Sequence, residues 1–177
     1  MQISNKGCPQ NYEPNITEEE KRLHRCCFTG HRPEKLSRSE CKIKLELVRE
    51  ISSAVEDDFT VFISGMARGV DIWAAEIVLQ LRENGVPVRL ICACPYPGFE
   101  KNWSSSWRTR YAAILRSADL VRFISPCYSP RCFQIRNEWM VEHSSKVIAV
   151  FNGQPGGTKN TIEYAQQQGV PVRDIKG

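Results

Sequence analysis

No apolar run in this 177-residue chain is long enough to cross a bilayer, and no secretory leader opens it. Internal repeats and low-complexity segments are absent too. Paired zinc-type cysteine spacing is missing: Cys26 and Cys27 are adjacent, Cys92 and Cys94 one apart, and Cys127 and Cys132 four apart. The 8 cysteines therefore do not form a disulfide or zinc framework, and those inside apolar runs act as small hydrophobes. Charge of one sign is in short supply, with a net +4 that permits an anionic partner without demanding one. These absences together predict a reduced, cytoplasmic protein with no metal site and no membrane partner.

What is present suits one medium domain. Apolar residues make up 41% and charged residues 25% of a chain long enough to bury a core unaided. Residues 1–22 are polar, with Pro9 and Pro14, and read as a tail or strap. Thr17 and Glu20 have capping-box spacing within it. A single domain is expected over 23–177.

There the pattern alternates. "RCCFTG" (Arg25 to Gly30) reads as a buried strand. Ser39 to Glu56 reads as a helix with Leu47, Val48, Ile51, Ala54 and Val55 on one face. "TVFIS" is a strand, and Val70, Trp73, Ala74, Ile77, Val78 and Leu81 follow helical spacing up to Asn84-Gly85. "VPVRLICAC", "DLVRFIS" and "KVIAVF" are further strands. Helices are expected over Ser104 to Ser117, Pro130 to Ser144 and Thr158 to Gln168, and "VPVRDI" is a candidate sixth strand. This is the signature of an α/β, Rossmann-like open and mainly parallel sheet with helices on both faces. Its crevice belongs at the carboxyl ends of the strands, so function is expected in the loops that follow them.

Four of those loops carry candidates. "TGHRPEKL" holds Gly30, His31 and Arg32: a glycine that lets backbone approach a ligand, and a guanidinium that suits a phosphate or carboxylate. "SGMARGVD" holds Ser64, Gly65, Met66, Arg68, Gly69 and Asp71. A helix opening at Gly69 presents free N–H groups and a favourable dipole to an anion. Asp71 either caps that turn or accepts from a ligand hydroxyl. No Lys-Ser/Thr follows the glycines, so this is no P-loop, and the spacing is not the dinucleotide fingerprint.

In "CFQIRNEWMVEHS", Arg136 falls inside the apolar stripe and must be paired, either with an internal acid or with a bound anion, and Asn137 is its companion. "FNGQPGGTKNTIEYA" supplies Gly156, Gly157 and Thr158, with Thr158 or Thr161 placed to cap a helix and touch a phosphate. After the third strand, Tyr96, Phe99 and Trp103 either stack a base or close the edge of the core.

Several of these stretches have a family likeness. "SGMARGVDIWAAE" resembles the Ser-Gly-x-Ala-Arg-Gly-x-Asp motif of the bacterial DNA-processing (Smf/DprA) proteins, and "FQIRNEWMVEHS" resembles their Arg-Asn helix motif. "PGGTKNTIE" looks like the Pro-Gly-Gly motif of the Lonely Guy phosphoribohydrolases. All belong to the SLOG superfamily. Within it, Thr29 to Pro33, Ser64 to Glu76, and Trp103, Tyr111, Ala118 and Asp119 resemble the YpsA-like group, from about residue 25 onward.

The resemblance implies a nucleotide-related small molecule in the crevice: a nucleotide, or an NAD- or ADP-ribose-like molecule. It leaves three functions open. The first is binding or sensing of that ligand. The second is a nucleotide-processing, phosphoribohydrolase-like hydrolase, with Glu163 or Asp71 as acid/base and Arg136 on the phosphate. Lys159-Asn160 stand where those hydrolases have Gly-Thr, and Arg136 matches their arginine helix only loosely; both count against hydrolysis. The third is single-stranded nucleic acid binding, with Arg68, Arg108, Arg110 and Arg131 on a basic surface. A homo-oligomer is expected in each case.

Overall fold

The computed structural model describes residues 16–177. The predicted tail lies largely outside them, Pro9 and Pro14 included. The capping box of Thr17 and Glu20 is formed and starts a short helix, α1 (Glu18–Leu23). Then come β1 (Arg25–Gly30), α2 (Glu40–Glu56), β2 (Val61–Ser64), α3 (Val70–Glu83), β3 (Arg89–Cys94) and α4 (Ser105–Ser117). β4 (Leu120–Phe123), α5 (Cys132–Glu142), β5 (Lys146–Phe151), α6 (Gly157–Gln167) and β6 (Val172–Lys176) complete the chain. A single 3-10 turn, Pro33–Lys35, follows β1.

The six strands form one parallel sheet in the order β4-β3-β2-β1-β5-β6. Alternation along each strand sends side chains to two separate cores. Cys26, Phe28, Phe62, Leu90, Cys92 and Ile148 face α2, α3 and α4. Cys27, Ile63, Ile91, Ala93 and Val147 face α5 and α6. The sheet is therefore covered on both sides, which is why its inner strands read as continuous apolar runs.

The stripe that α2 buries is Ile43, Leu47, Ile51 and Ala54. Val48, predicted on that face, is 39% exposed. It lies about 100° around the helix from Leu47, at the margin of a stripe centred on the other four.

All seven described cysteines are free, and five of them are buried. No group of three or more His, Cys, Asp or Glu gathers among the described residues. No helix among them is long and apolar enough to cross a membrane.

The chain builds outward from β1 in two directions, through β2, β3 and β4 on one side and β5 and β6 on the other. The reversal between β1 and β5 is the switch point, where the loops diverge and leave a crevice.

Candidate functional site

The turn between β2 and α3 is locked from within. Ser64 Oγ donates to the Asp71 carbonyl at 2.9 Å and accepts from the Met66 N–H at 3.1 Å. The Ala67 N–H donates to Asp71 Oδ2 at 3.2 Å. Met66 takes φ +60, rare for a residue with a side chain, and buries that side chain completely. Asp71 thus performs the structural task foreseen for it with one carboxylate oxygen. Its other oxygen, Oδ1, is buried and has no hydrogen-bond partner among the described residues.

Arg136 reaches this turn from α5. Its Nε donates to Asn137 Oδ1 at 2.8 Å, its Nη1 donates to the Gly65 carbonyl, and Nη1 lies 3.9 Å from Asp71 Oδ2. Arg136 and Asp71 are each 5% exposed. Of the two pairings open to Arg136, the internal acid is therefore present. Burial raises the Asp71 carboxyl to about 6, against the opposing pull of Arg136 and the Ala67 N–H. Burial also lowers the Arg136 guanidinium from its ordinary range, with Asp71 opposing.

The glycines of the first two loops serve contacts inside the protein. A Cβ on Gly30 would stand 2.5–2.6 Å from the Val70 side chain. On Gly65 it would meet Arg136 and, at 2.8 Å, Asp71 Oδ2. On Gly69, at φ +92, it would stand 2.8 Å from Pro33 Cδ and 2.9 Å from the His31 carbonyl. The loop after β1 and the start of α3 are interlocked through these absent side chains.

Above this floor lies a cavity of about 400 Å³, within the range of small-molecule sites. The sheet order arranges its walls. After β3 come Phe99 and Trp103, edge to face at 5.0 Å, with Phe133 of α5 beside Phe99 at 6.5 Å. After β2 come Ala67, Arg68 and Asp71; the end of β1 gives Thr29 and Gly30, and the loop after it His31, Arg32 and Lys35; after β5 come Gly157 and Thr158 in the first turn of α6. Arg136, Asn137 and Met140 reach in from α5.

Arg32 and Lys35 are exposed, and neither has a carboxylate within 4 Å among the described residues. Arg68 is paired with Glu34 at 2.8 Å. His31 is buried against Phe151. Its Nε2 has no partner among the described residues, and burial first, then Lys35, lowers its pKa, with Asn152 opposing.

Nine of the predicted site residues thus line one cavity: Gly30, His31, Arg32, Arg68, Asp71, Arg136, Asn137, Gly157 and Thr158. Ser64, Gly65, Met66, Gly69 and Gly156 stand outside its lining. The first four build the floor turn, and Gly156, at φ +145, opens α6.

Glu163 is not in the cavity either. It is exposed on α6, 3.5 Å from Lys159. Thr161 turns its hydroxyl back to the Gly157 carbonyl at 2.7 Å, and α6 has no side-chain cap. Arg110 is engaged by Glu76 through two 2.6 Å bonds and lies over Trp107.

Lys35, Thr29, Ala67, Phe133 and Met140 were not foreseen in the site. Lys35 carried the one available signal, a cation three residues beyond Arg32 in the same loop.

A family model described as the YspA SLOG family matches residues 26–173. A UPF0398 protein of Bacillus cereus strain G9842 is 34% identical over 131 residues, covering 72% of this chain and 71% of that protein. A UPF0398 protein of Bacillus cereus strain B4264 is 35% identical over 134 residues, covering 73% and 72%.

Among solved structures, DNA processing protein A of Streptococcus pneumoniae superposes with a TM-score of 0.62 at 22% identity. The match takes in 88% of this chain but about half, 51%, of that one. DNA processing protein A of Helicobacter pylori, whose structure concerns its single-stranded DNA binding mode, gives 0.60 at 19%, covering 90% of this chain and 68% of that one. At these identities the likeness is one of fold.

Proposed function

The chain belongs to the YspA SLOG family, and from that premise we propose that it binds or senses a nucleotide-derived ligand in the cavity at the β1–β5 switch point. The observation that carries this is a division of labour along the strand ends. Aromatic rings stand after β3, uncommitted cations after β1, and free helix N–H groups after β5. Rings suit a base, while cations and N–H groups suit phosphate.

Binding is favoured over hydrolysis. The hydrolytic candidate Glu163 lies outside the cavity, and Asp71 is already bonded to the turn and set beside Arg136.

Thermal unfolding with AMP, ADP-ribose, NAD and a short single-stranded oligonucleotide tests the proposal. A nucleotide at a hundred times its dissociation constant stabilises by about 2.7 kcal/mol. The expected result is a gain of that size with at least one of the three nucleotides. No gain with any of them overturns the proposal.

A second function has one observation in its favour. A chain of edge-to-face rings runs from Phe99 through Phe133 and Tyr96 to Tyr128, which is 63% exposed. Such rings suit successive stacked bases, as in single-stranded nucleic acid binding. Stabilisation by the oligonucleotide alone, lost steeply with salt, would select it.

A further inference from the structure

Six buried side-chain polar atoms among the described residues have no hydrogen-bond partner, and two of them belong to residues that line the cavity: Asp71 Oδ1 and His31 Nε2. The four others, on Arg22, Trp73, Glu100 and Ser144, belong to residues outside its lining. A buried polar atom left unpaired carries its whole desolvation cost, so such an atom on a residue that lines a cavity is a contact point for a ligand group or a water that enters there.

The chemistry of Asp71 Oδ1 narrows that group. An ionised carboxylate only accepts, so whatever meets it must donate. A phosphate oxygen is excluded there by charge and by the lack of a proton. The ligand's phosphate belongs instead with Arg32, Lys35 and the start of α6.

The strand order then supplies direction. Asp71 follows β2, the aromatic pair follows β3, and the cations follow β1. Adjacent strands are about 4.8 Å apart, so the path from the rings past Asp71 and the cations to α6 spans roughly 14 Å. In a nucleotide the group between base and phosphate is the sugar, and its donors are hydroxyls.

We propose that the site selects ribonucleotides over deoxynucleotides, with one ribose hydroxyl donating to Asp71 Oδ1, the base toward Phe99 and Trp103, and the phosphate toward Arg32 and Lys35. This rests on the cavity being a nucleotide site. His31 Nε2, on the neighbouring loop, is available to the second hydroxyl, as donor or acceptor according to its tautomer. A site with a buried acceptor discriminates against an analogue lacking the donor, because the acceptor is then left unpaired.

The test is calorimetric titration of the wild-type chain at pH 7.5 with AMP, 2′-deoxy-AMP, 3′-deoxy-AMP and inorganic phosphate. AMP is expected to bind at least tenfold more tightly than one of the two deoxy compounds. Asp71→Asn is expected to shrink the difference. The Ala67 N–H needs the oxygen of the new amide, which puts the NH₂ group in the place of Oδ1, where a hydroxyl can only accept and the carboxylate's charge is gone.

Equal binding of AMP and both deoxy compounds overturns the selection while leaving the nucleotide site standing. AMP binding no more tightly than phosphate overturns both. The wild-type comparison decides the matter even if Asp71→Asn folds poorly.

Discussion

Arg136 Nη1 lies 3.9 Å from Asp71 Oδ2, and both side chains press on the bare Cα of Gly65. A residue from α5, one from α3 and one from the end of β2 thus share a single small volume under the cavity. An added methyl on Gly65 would stand 2.8 Å from both Arg136 Cζ and Asp71 Oδ2.

The first prediction follows from that packing. Gly65→Ala has no backbone obstacle, since Gly65 does not have positive φ. Its cost is steric and falls on a buried ion pair. Overpacking of this kind destabilises by about 1–3 kcal/mol. Urea denaturation of the variant should show a loss in that range. An unchanged midpoint would mean that the pair is loosely held.

Arg136→Met removes the only cation within 4 Å of Asp71 among the described residues. Breaking a buried pair from one side costs about 3–5 kcal/mol, because the remaining charge is stranded. At pH 8 the variant should lose that much. At pH 5 the loss should shrink, since a stranded carboxyl with its pKa raised further is protonated there. The double change Asp71→Asn, Arg136→Met should recover part of the loss. A double-mutant cycle with no coupling between the two sites would contradict the pairing.

The pH dependence of the unmodified protein has a definite sign. Asp71 is raised from 3.8 to about 6 in the fold, chiefly by burial. Between those values the folded chain holds a proton that the unfolded chain has released. Stability from this group is therefore complete below 3.8 and is lost as pH rises through 6. The full span is worth about 3 kcal/mol. Other carboxyls act oppositely: Glu34 and Glu46 are lowered by their hydrogen bonds and cations, and lose stability as pH falls. Comparison with Asp71→Asn isolates the effect. Between pH 7 and 4, wild type should gain on the variant. A constant difference across that range would place the Asp71 titration elsewhere.

Much of this arrangement is legible in the chain itself. Apolar runs of strand length alternating with helical stripes pointed to a parallel sheet, because strands buried on both faces need no polar positions. Arg136 in an apolar stripe signals a buried charge, to be paired by an internal acid or a bound anion. That the internal acid is Asp71 is not legible, since it lies 65 residues away in sequence and only the β2–α3 turn brings it close.

The glycines misled in one respect. An absent side chain marks a close approach but does not say what approaches, and at Gly30, Gly65 and Gly69 it is the protein itself. Glu163 is a candidate acid/base through the Pro-Gly-Gly resemblance. It stands five residues beyond Thr158, about 140° around α6, and so faces away from the cavity that Thr158 lines.

The last prediction concerns the residues that can be changed without touching the fold. Arg32 and Lys35 are exposed, line the cavity, and have no carboxylate within 4 Å among the described residues. Neither therefore contributes an ion pair whose loss would unfold the chain, and surface substitutions of this kind stay within about 0.5 kcal/mol. A charge-assisted hydrogen bond to a phosphate, by contrast, is worth about 1.5–3 kcal/mol. Arg32→Ala and Lys35→Ala should each leave the unfolding midpoint of the ligand-free protein unchanged while weakening AMP binding about tenfold or more. The double variant should also show a shallower dependence of affinity on salt, because fewer charges meet the phosphate. Arg68→Ala is the control: it is held by Glu34 at 2.8 Å, and should cost less affinity than either. If Arg32→Ala and Lys35→Ala bind AMP as wild type does, the phosphate does not sit at the β1 end, and the base-to-phosphate direction across β3, β2 and β1 is reversed or wrong.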